Sequence, residues 1–331
     1  MKNKYDLISI GDVTIDAFIK LHDATVNCAL DTHKCTLTMS FADKVPYEEL
    51  EIVPAVGNAS NVAVGIARLG LRSASFCSIG DDQFGKDVLD VYDKEGVGTE
   101  FVKINTGMQT NYHFVLGFQA ERTILVKHHP YKYHSPELVD DVNWLYFSSI
   151  GENTEELHQK IADHLEAHPN VKMGFNPGTF QMKLGLEKIG RIYKNTHVLF
   201  INREEAQRIL KTDEREIKPL MKMIHEIGPK IVVITDGPDG AYASDGKDVW
   251  FMPPYPDPKP PFERTGAGDA FSTGFMAALM YGKDIEEALL WAPISSMSVV
   301  QYTGAQKGLL TKSQLEQYIK TAPEDYLPKK I

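Results

Sequence analysis

Short apolar runs alternate with helical patterns along most of the chain. Residues 7–10 form an apolar run that ends at Gly11, which is typical of a buried strand. Residues 59–69 carry apolar side chains at helical spacing and end at Gly70. The same alternation predicts strands over 73–79, 144–150, 172–175, 197–201 and 230–235, and helices over 84–95, 154–168 and 203–211. Strands that alternate with helices predict an α/β fold whose central, mostly parallel sheet is covered on both faces.

Two segments, at about 16–54 and 101–127, break this alternation. The first has no clear helical pattern, and the second contains strand-like runs at 112–118 and 122–127 joined by a short link, which predicts a hairpin. We expect the two segments to form a small β-sheet beside the core, within a single domain of residues 1–331. Such a sheet could close over a ligand as a lid. An edge hairpin without that function is the alternative.

Charge and hydropathy limit the classes of partner. The 331 residues carry a formal net charge of −10, which argues against nucleic-acid binding through the general surface field. No apolar stretch reaches the length of a membrane span, and no signal-peptide pattern is present. We therefore expect a cytoplasmic protein that binds neither nucleic acid nor membrane.

The cysteines favour the same compartment. There are three, Cys28, Cys35 and Cys77, and a chain of this size needs no disulfide to fold. We therefore expect reduced thiols, and a disulfide or metal role for Cys28 and Cys35 is the disfavoured alternative.

The segment with the clearest chemistry follows a proline-rich stretch, at residues 263–271. Gly266, Ala267 and Gly268 allow a ligand to approach the backbone closely, and a helical pattern follows them. Backbone N–H groups at such a helix start can bind an anion, which phosphoryl transfer requires. Asp269 would lie in the first turn, where its carboxylate could take a proton from an attacking hydroxyl. The alternative is an ordinary helix start, with Asp269 favouring the helix dipole.

This segment resembles the C-terminal signature of the ribokinase/PfkB family of carbohydrate kinases, Asp-Thr-x-Gly-Ala-Gly-Asp. The resemblance implies that residues 266–268 form an anion hole and that Asp269 is the catalytic base. It also implies a ribokinase-like three-layer sandwich with a small β-sheet lid. Glu263 and Arg264 replace the Asp and Thr of the signature, in a region that binds a monovalent cation in some members. These departures argue against a potassium site.

Motifs near the N-terminus resemble the sugar-binding parts of the same family. Residues 56–61 resemble Gly-Gly-x-x-x-Asn, although Val56 replaces the first glycine, and residues 11–16 resemble a strand end that binds substrate hydroxyls. Residues 121–125 resemble a lid strand whose arginine could meet a substrate carboxylate or phosphate; a surface cation is an equal alternative. The predicted substrate-binding residues are Asp12, Asp16, Gly57, Asn58, Asn61 and Arg122.

Three further motifs resemble the family's nucleotide and magnesium sites. Residues 202–205 resemble Asn-x-x-Glu, which holds Mg²⁺ and its waters, although the same residues could cap a helix. Residues 235–240 resemble the loop near the nucleotide phosphates, and residues 304–305 resemble the adenine pocket. The residues predicted to bind ATP are Asn202, Thr235, Gly237, Gly240, Gly304 and Ala305, and those predicted to bind Mg²⁺ are Asn202 and Glu205.

Together these motifs predict ATP-dependent phosphorylation of a hydroxyl on a small sugar or sugar acid, as in fructokinases and ribokinases. A nucleoside kinase of the same family is the first alternative, because the long 16–54 segment contains Phe41 and Tyr47, which could hold a base. A sugar-binding regulator without catalysis is the second. The resemblance also allows a homodimer through the lid.

Overall fold

A large sheet forms the centre of the fold. The computed structural model describes residues 4–28, 35–118, 121–133 and 142–331, and within them this sheet has ten strands in the order β16-β15-β14-β13-β12-β11-β10-β1-β6-β7. Its strands are β1 (Tyr5–Ile10), β6 (Ser73–Gly80), β7 (Val102–Asn105), β10 (Val142–Phe147), β11 (Lys172–Phe175), β12 (Val198–Asn202), β13 (Ile231–Thr235), β14 (Ala241–Ser244), β15 (Val249–Met252) and β16 (Lys329–Lys330). The strands from β7 to β13 pair in parallel, and β14, β15 and β16 extend one edge in antiparallel pairing.

Helices cover both faces of this sheet. They are α1 (Asn58–Arg68), α2 (Gln83–Glu95), α3 (Glu155–Ala167), α4 (Thr179–Lys194), α5 (Arg203–Leu210), α6 (Ile217–Glu226), α7 (Ala267–Met280), α8 (Ile285–Val299) and α9 (Lys312–Lys320). Side chains alternate between the faces along each strand. Leu7 packs in the core beneath α1, α7 and α8, and Ile8 packs in the core beneath α3 to α6. The predicted α/β fold with a mostly parallel, doubly covered sheet is confirmed.

A separate four-stranded sheet lies beside the core, in the order β5-β2-β8-β9. It consists of β2 (Thr14–Leu21), β5 (Tyr47–Val56), β8 (Tyr112–Phe118) and β9 (Glu121–Leu125), and we call it the small sheet. The predicted hairpin is confirmed, since β8 and β9 pair in antiparallel fashion. The start of the 101–127 segment lies elsewhere, because β7 pairs with β6 at the edge of the large sheet.

A two-stranded ribbon, β3 (Thr25–Cys28) and β4 (Cys35–Thr38), lies between β2 and β5 in the sequence. Its register sets Cys28 directly opposite Cys35, and a disulfide joins the two residues. The prediction of reduced thiols is therefore wrong for this pair, because the cross-strand register that brings them together is not visible in the cysteine count. Cys77 is a free, buried thiol. Within the described ranges, no helix is long and apolar enough to cross a membrane.

Candidate active site

The N-termini of α1 and α7 meet beside the end of β1, and this junction brings the predicted base to the predicted sugar-binding motif. Asp269 lies in the first turn of α7 and is only 7% exposed. Its Oδ1 accepts a hydrogen bond from Asn58 Nδ2 at 2.8 Å, and its Oδ2 accepts one from Asn61 Nδ2 at 2.7 Å. Two motifs about 200 residues apart in the sequence therefore form one site.

The environment of Asp269 changes its protonation. Burial raises its pKa from the ordinary value of 3.8 to about 6, and the N–H groups of Asn61 and Asn58 oppose that rise. The carboxylate is therefore predominantly ionised at neutral pH while retaining a pKa closer to neutrality than that of a free aspartate. Such a group is suited to accept a proton from an attacking hydroxyl.

Two glycines make this junction sterically feasible. Gly57, which precedes α1, has a φ of 114°, and a Cβ there would lie 2.6 Å from the carbonyl oxygen of Asp12. Gly266, which precedes α7, has a φ of 78°, and a Cβ there would lie 2.3 Å from the Cβ of Ala305. Both positions combine a left-handed backbone with close contact to a neighbouring segment, so a side chain at either would displace the site.

The turn at Gly266 opens onto a cavity of about 680 Å³. The first i→i−4 bond of α7 runs from Ala270 N–H to Gly266 O at 2.9 Å, so the N–H groups of Gly268 and Asp269 precede the helical ladder. The cavity is lined by five of the residues predicted for the phosphate site: Thr235, Gly237, Gly240, Ala267 and Gly268. A helix start that faces a cavity of this size can bind the phosphates of a nucleotide.

Asn202 and Glu205 form a reciprocal cap at the start of α5. Asn202 Oδ1 accepts from the Glu205 N–H at 2.8 Å, and Glu205 Oε2 accepts from the Asn202 N–H at 2.9 Å. Asn202 also lies opposite Thr235 in the β12–β13 register, so this cap borders the loop over residues 235–240 that was predicted to approach the phosphates. Next to it, the guanidinium of Arg203 pairs with the carboxylate of Asp236.

The remaining predicted substrate residues lie near aromatic and imidazole rings. Asp12 accepts hydrogen bonds from the Tyr133 hydroxyl at 2.9 Å and from His128 Nδ1 at 3.0 Å. Asp16 is 8% exposed, and His113 Nδ1 lies 3.5 Å from its Oδ1. Within the described part of the chain, Asp16 Oδ1 and His113 Nε2 are buried without a hydrogen-bond partner.

Arg122 contacts the protein itself. Its Nε lies 3.6 Å from Oε1 of Glu263, at the start of the turn that leads to α7. Glu263 Oε1 accepts from the Thr265 N–H at 2.6 Å, and its Oε2 accepts from the Gly304 N–H at 3.1 Å. Gly304 and Ala305 do not border the 680 Å³ cavity in the described structure: a Cβ at Gly304 would face Val53 of the small sheet, and Ala305 packs on Gly266. Their predicted contact with adenine stays a prediction.

Residues 26–312 match the family model described as pfkB family carbohydrate kinase. The chain belongs to this family. Among curated relatives, it is 27% identical to the ribokinase of Bacillus subtilis strain 168 over 271 residues, which cover 80% of this chain and 87% of that protein.

Solved structures of this pfkB-family fold superpose over nearly the whole chain. The nucleoside kinase of Methanocaldococcus jannaschii, an archaeal member of the ribokinase family, gives a TM-score of 0.80 at 18% identity and covers 97% of this chain and 100% of that one. The structure of the Arabidopsis thaliana ribokinase complexed with ribose and ATP gives a TM-score of 0.80 at 18% identity. The superposition covers 97% of this chain and 99% of that one. The predicted ribokinase-like architecture is therefore confirmed.

Three residues that contact this candidate site were not predicted from the sequence. His113 faces Asp16 across two parallel strands, Tyr133 donates to Asp12, and Gln306 donates to Asn61. Strand alternation would have found His113 once the β2–β8 register was known. Gln306 directly follows the predicted pair at 304–305, but its burial at 6% exposed is not evident from its polarity.

Proposed function

We propose that this protein transfers the γ-phosphoryl group of ATP to a hydroxyl of a small sugar or sugar acid, with Asp269 as the general base. The observation that carries the proposal is the position of Asp269. Its carboxylate is buried between two asparagine donors, at a helix start that opens onto a cavity large enough for a nucleotide. Family membership supports a kinase, and the ATP in the Arabidopsis ribokinase structure supports that donor.

In this mechanism Asp269 takes the proton of the acceptor hydroxyl as its oxygen attacks the γ-phosphorus. Asn58 and Asn61 hold the carboxylate in place and favour its charged form. The N–H groups of Gly268 and Asp269, at the positive end of α7, stabilise charge on the transferred group. The loop with Thr235 and Gly240 borders the same cavity and would hold the remaining phosphates.

Magnesium would be held beside this cavity by Asn202 and Glu205. Both carry hard oxygen donors, and the capping box uses only Oε2 of the Glu205 carboxylate, so the residues fit an ion that keeps several of its waters. Burial raises the pKa of Glu205, and a nearby cation would favour its ionised form. When bound, Mg²⁺ neutralises phosphate charge.

The acceptor would bind between the small sheet and the starts of α1 and α7, with the small sheet as its lid. Asp12, Asp16 and Asn61 offer carboxylate and amide groups to hydroxyls. Within the described structure, Oδ1 of Asp16 accepts no hydrogen bond and has only the 3.5 Å contact with His113, so it can accept one from a substrate hydroxyl. Gly57 would allow the acceptor to approach the backbone closely, and the amide side chain of the adjacent Asn58, which contacts Asp269, would face the acceptor. Arg122 would act on the site through Glu263, which it contacts.

A nucleoside is the second candidate acceptor. The ring of His128 makes edge contacts with His113, at 5.3 Å between centroids, and with Phe180, at 5.7 Å, so aromatic surface lies next to Asp12. Nucleobases stack on such rings. The nucleoside kinase among the structural neighbours supports this candidate. A regulator without catalysis is less well supported, because it would have no use for a buried carboxylate at the anion site.

The proposal includes no potassium requirement. Glu263, at the position where the family signature has Asp, already contacts two backbone N–H groups and the Arg122 guanidinium. A bound cation there would have to compete with a permanent positive charge. Turnover should therefore be equal in sodium and potassium buffers, and a several-fold gain in potassium would contradict this part.

A homodimer through the outer face of the small sheet is also part of the proposal. That face is apolar and solvent-exposed: Leu50, Ile52, Phe114 and Leu125 are each between 43% and 52% exposed. An apolar face of this kind favours a partner. We also propose a cytoplasmic location, and the Cys28–Cys35 disulfide makes that location testable because the cytoplasm keeps most thiols reduced.

The test measures ADP release from Mg-ATP with a panel of pentoses, hexoses, sugar acids and nucleosides, in wild type and Asp269→Asn. ADP release with one class of acceptor, lost in the variant, is the expected result. ATP binding measured by calorimetry should survive the substitution. Wild-type ATP binding without release for any acceptor would support the regulator, and full activity of Asp269→Asn would remove the proposed base.

A further inference from the structure

A buried glutamine lies behind the asparagine that contacts Asp269. Gln306 is 6% exposed, and its Nε2 donates to Asn61 Oδ1 at 3.1 Å and to the Ala55 carbonyl oxygen at 2.6 Å. Both hydrogen bonds join the C-terminal part of the chain to the segment that begins α1. Gln306 is thus one residue removed from Asp269 in the hydrogen-bond network.

This contact decides which end of the Asn61 amide faces Asp269. An asparagine side chain presents an oxygen acceptor on one side and an N–H₂ donor on the other, and the two ends have nearly the same shape. With Gln306 donating to Oδ1, the Nδ2 of Asn61 must point to Asp269, where it donates at 2.7 Å. The reversed amide would set its oxygen against the Asp269 carboxylate and its N–H₂ against the N–H₂ of Gln306.

Gln306 is itself held rigidly. Its backbone carbonyl accepts from Arg68 Nη1 at 2.6 Å, and the same guanidinium forms two 2.8 Å hydrogen bonds with Glu95. A glutamine that can rotate would tolerate either orientation of Asn61. The Ala55 carbonyl oxygen removes that freedom, because it can only accept and therefore requires the N–H₂ of Gln306 on its side. The Arg68 contact, through an ion pair between α1 and α2, fixes the backbone from which this side chain extends.

We propose that Gln306 is a positioning residue that fixes the Asn61 amide with its N–H toward Asp269 and so keeps the base ionised and ready to accept a proton. The role deepens the proposed function, because it rests on Asp269 as the base. Gln306 contacts neither of the Asp269 oxygens, and its effect passes through Asn61. Without Gln306 the Asn61 amide could reverse when Asp269 is protonated and accept a hydrogen bond from its O–H, which would stabilise the neutral acid and raise the pKa of Asp269.

The other groups around Asp269 leave room for this effect to be seen. Asn58 donates to Oδ1 and is untouched by Gln306. The titratable group that faces Asp269 from the sheet is the Tyr146 phenol on β10. Burial raises the pKa of this phenol above its ordinary value of 10.0, so it stays protonated at neutral pH. A change in the Asp269 midpoint on removal of Gln306 would therefore report on Asn61.

The test is a ¹³C NMR titration of aspartate carboxyl groups in Gln306→Met, a substitution that keeps size and removes the donor. The resonance of Asp269 is assigned by its loss in Asp269→Asn. We expect the Asp269 midpoint to rise by about one pH unit over wild type. The matched control is Gln301→Met, which alters another buried glutamine, 7% exposed, whose Nε2 donates to Asp257. That variant should leave the midpoint unchanged.

Asn61→Ala provides the second variant. It should raise the midpoint by a similar amount, and adding Gln306→Met to it should have no further effect, because the two residues act in series. An unchanged midpoint in Gln306→Met, or effects that add in the double variant, would overturn the proposal. If Gln306→Met fails to fold, wild type decides: the Asn61 side-chain N–H₂ shifts must follow the Asp269 titration, and constant shifts overturn the proposal.

These outcomes are independent of the acceptor. A raised midpoint in a protein that phosphorylates no compound of the panel would retain Gln306 as a positioning residue and reject the kinase function. Conversely, ADP release that depends on Asp269, with no change of midpoint in Gln306→Met, would retain the function and reject the role of Gln306.

Discussion

The Nε atom of Arg122 lies 3.6 Å from Oε1 of Glu263, so the edge strand of the small sheet meets the turn that leads to the proposed base. The Glu263 carboxylate in turn accepts hydrogen bonds from the backbone N–H groups of Thr265 and Gly304. One carboxylate thereby joins the small sheet, the turn that precedes α7 and the loop that contains Gly304. The contact is partly buried, with the two side chains 29% and 16% exposed, so solvent screens it less than a surface pair.

Arg122→Ala should therefore lower kcat by about tenfold and leave the KM for Mg-ATP nearly unchanged, because a misplaced turn weakens transition-state contacts. Glu263→Gln should have a similar effect, and the double variant should be no worse than the single variants. Added guanidinium ion should partly restore Arg122→Ala. If Arg122 contacted the acceptor directly, the result would differ. Arg122→Ala would then raise the KM for the acceptor, and Glu263→Gln would leave that KM unchanged.

Asp269→Asn should change stability with a defined dependence on pH. Since burial raises the Asp269 pKa from 3.8 to about 6, the folded state binds more protons than the unfolded state between these values. Wild-type stability should fall as pH rises through this window and level off above it. The pKa shift corresponds to a loss of about 3 kcal/mol in the free energy of unfolding of wild type when Asp269 ionises. The variant has a neutral side chain at this position, so it should not show this loss. In urea unfolding, the free energy of unfolding of Asp269→Asn should therefore rise relative to that of wild type as the pH increases from about 4 to about 7.

If the stability of Asp269→Asn did not rise relative to wild type over this pH range, burial would not disfavour the ionised form of Asp269. The same ionisation should appear in turnover, where kcat of wild type should fall as pH drops below about 6, because the protonated carboxyl cannot act as a base. A pH-independent kcat across that range would argue for another group as base.

Gly266→Ala should abolish turnover and strongly destabilise the fold. The alanine would need a left-handed backbone and a Cβ 2.3 Å from that of Ala305. Gly282 is the matched control, since it has the same φ of 78° but open space around a Cβ. Gly282→Ala should cost only the backbone strain, about 1 kcal/mol, and retain activity. Equal losses in thermal midpoint for the two variants would show that the Ala305 contact is unimportant.

The outer face of the small sheet predicts an oligomer that a single charge disrupts. Ile52→Glu should convert a dimer to a monomer in analytical ultracentrifugation, because it buries a carboxylate in an apolar interface. Ile104 is exposed at 53% on β7 of the large sheet, away from this face, and Ile104→Glu is the control. A wild-type monomer at high concentration would contradict the prediction.

The oxidation state of Cys28 and Cys35, measured in cells and after purification, tests both the disulfide and the proposed cytoplasmic location. Alkylation of protein rapidly quenched from cells, followed by mass spectrometry, should find Cys28 and Cys35 reduced if the protein is cytoplasmic, and oxidised after purification in air. Cys77 is buried, and burial raises its pKa to about 12, so it should react only after unfolding. A disulfide already present in cells would contradict a reducing compartment.

The sequence was sufficient for much of the large sheet, because its strands are short β-branched or apolar runs that end at glycine or at a polar cap. Residues 172–175 and 230–235 were predicted as strands within one residue of β11 and β13. The antiparallel edge β14–β16 was not predicted, since its short strands lack a strong pattern. Whether residues 102–105 join the small or the large sheet depends on long-range pairing, which local periodicity does not encode.

The candidate site divides in the same way. Asp269 could be predicted from its place after a glycine-rich turn at a helix start, and the two asparagines from the resemblance of residues 56–61 to the sugar-binding motif of the family. The partner of Arg122 could not, because a positive charge on a strand is compatible with a substrate, solvent or a carboxylate 141 residues away. Gln306 escaped notice for a related reason: which end of an amide faces a base depends on the neighbours of that amide in space.

The junction of α1 and α7 also has a consequence for synthesis. Asn58 precedes Asp269 by 211 residues, so at typical rates of translation the asparagines leave the ribosome roughly 10 to 40 seconds before the base. Throughout that interval the apolar side of α1, including Val62 and Ile66, lacks its α7 partners. A nascent chain interrupted before α7 would therefore expose this surface, and we expect chaperones to hold it until α7 arrives.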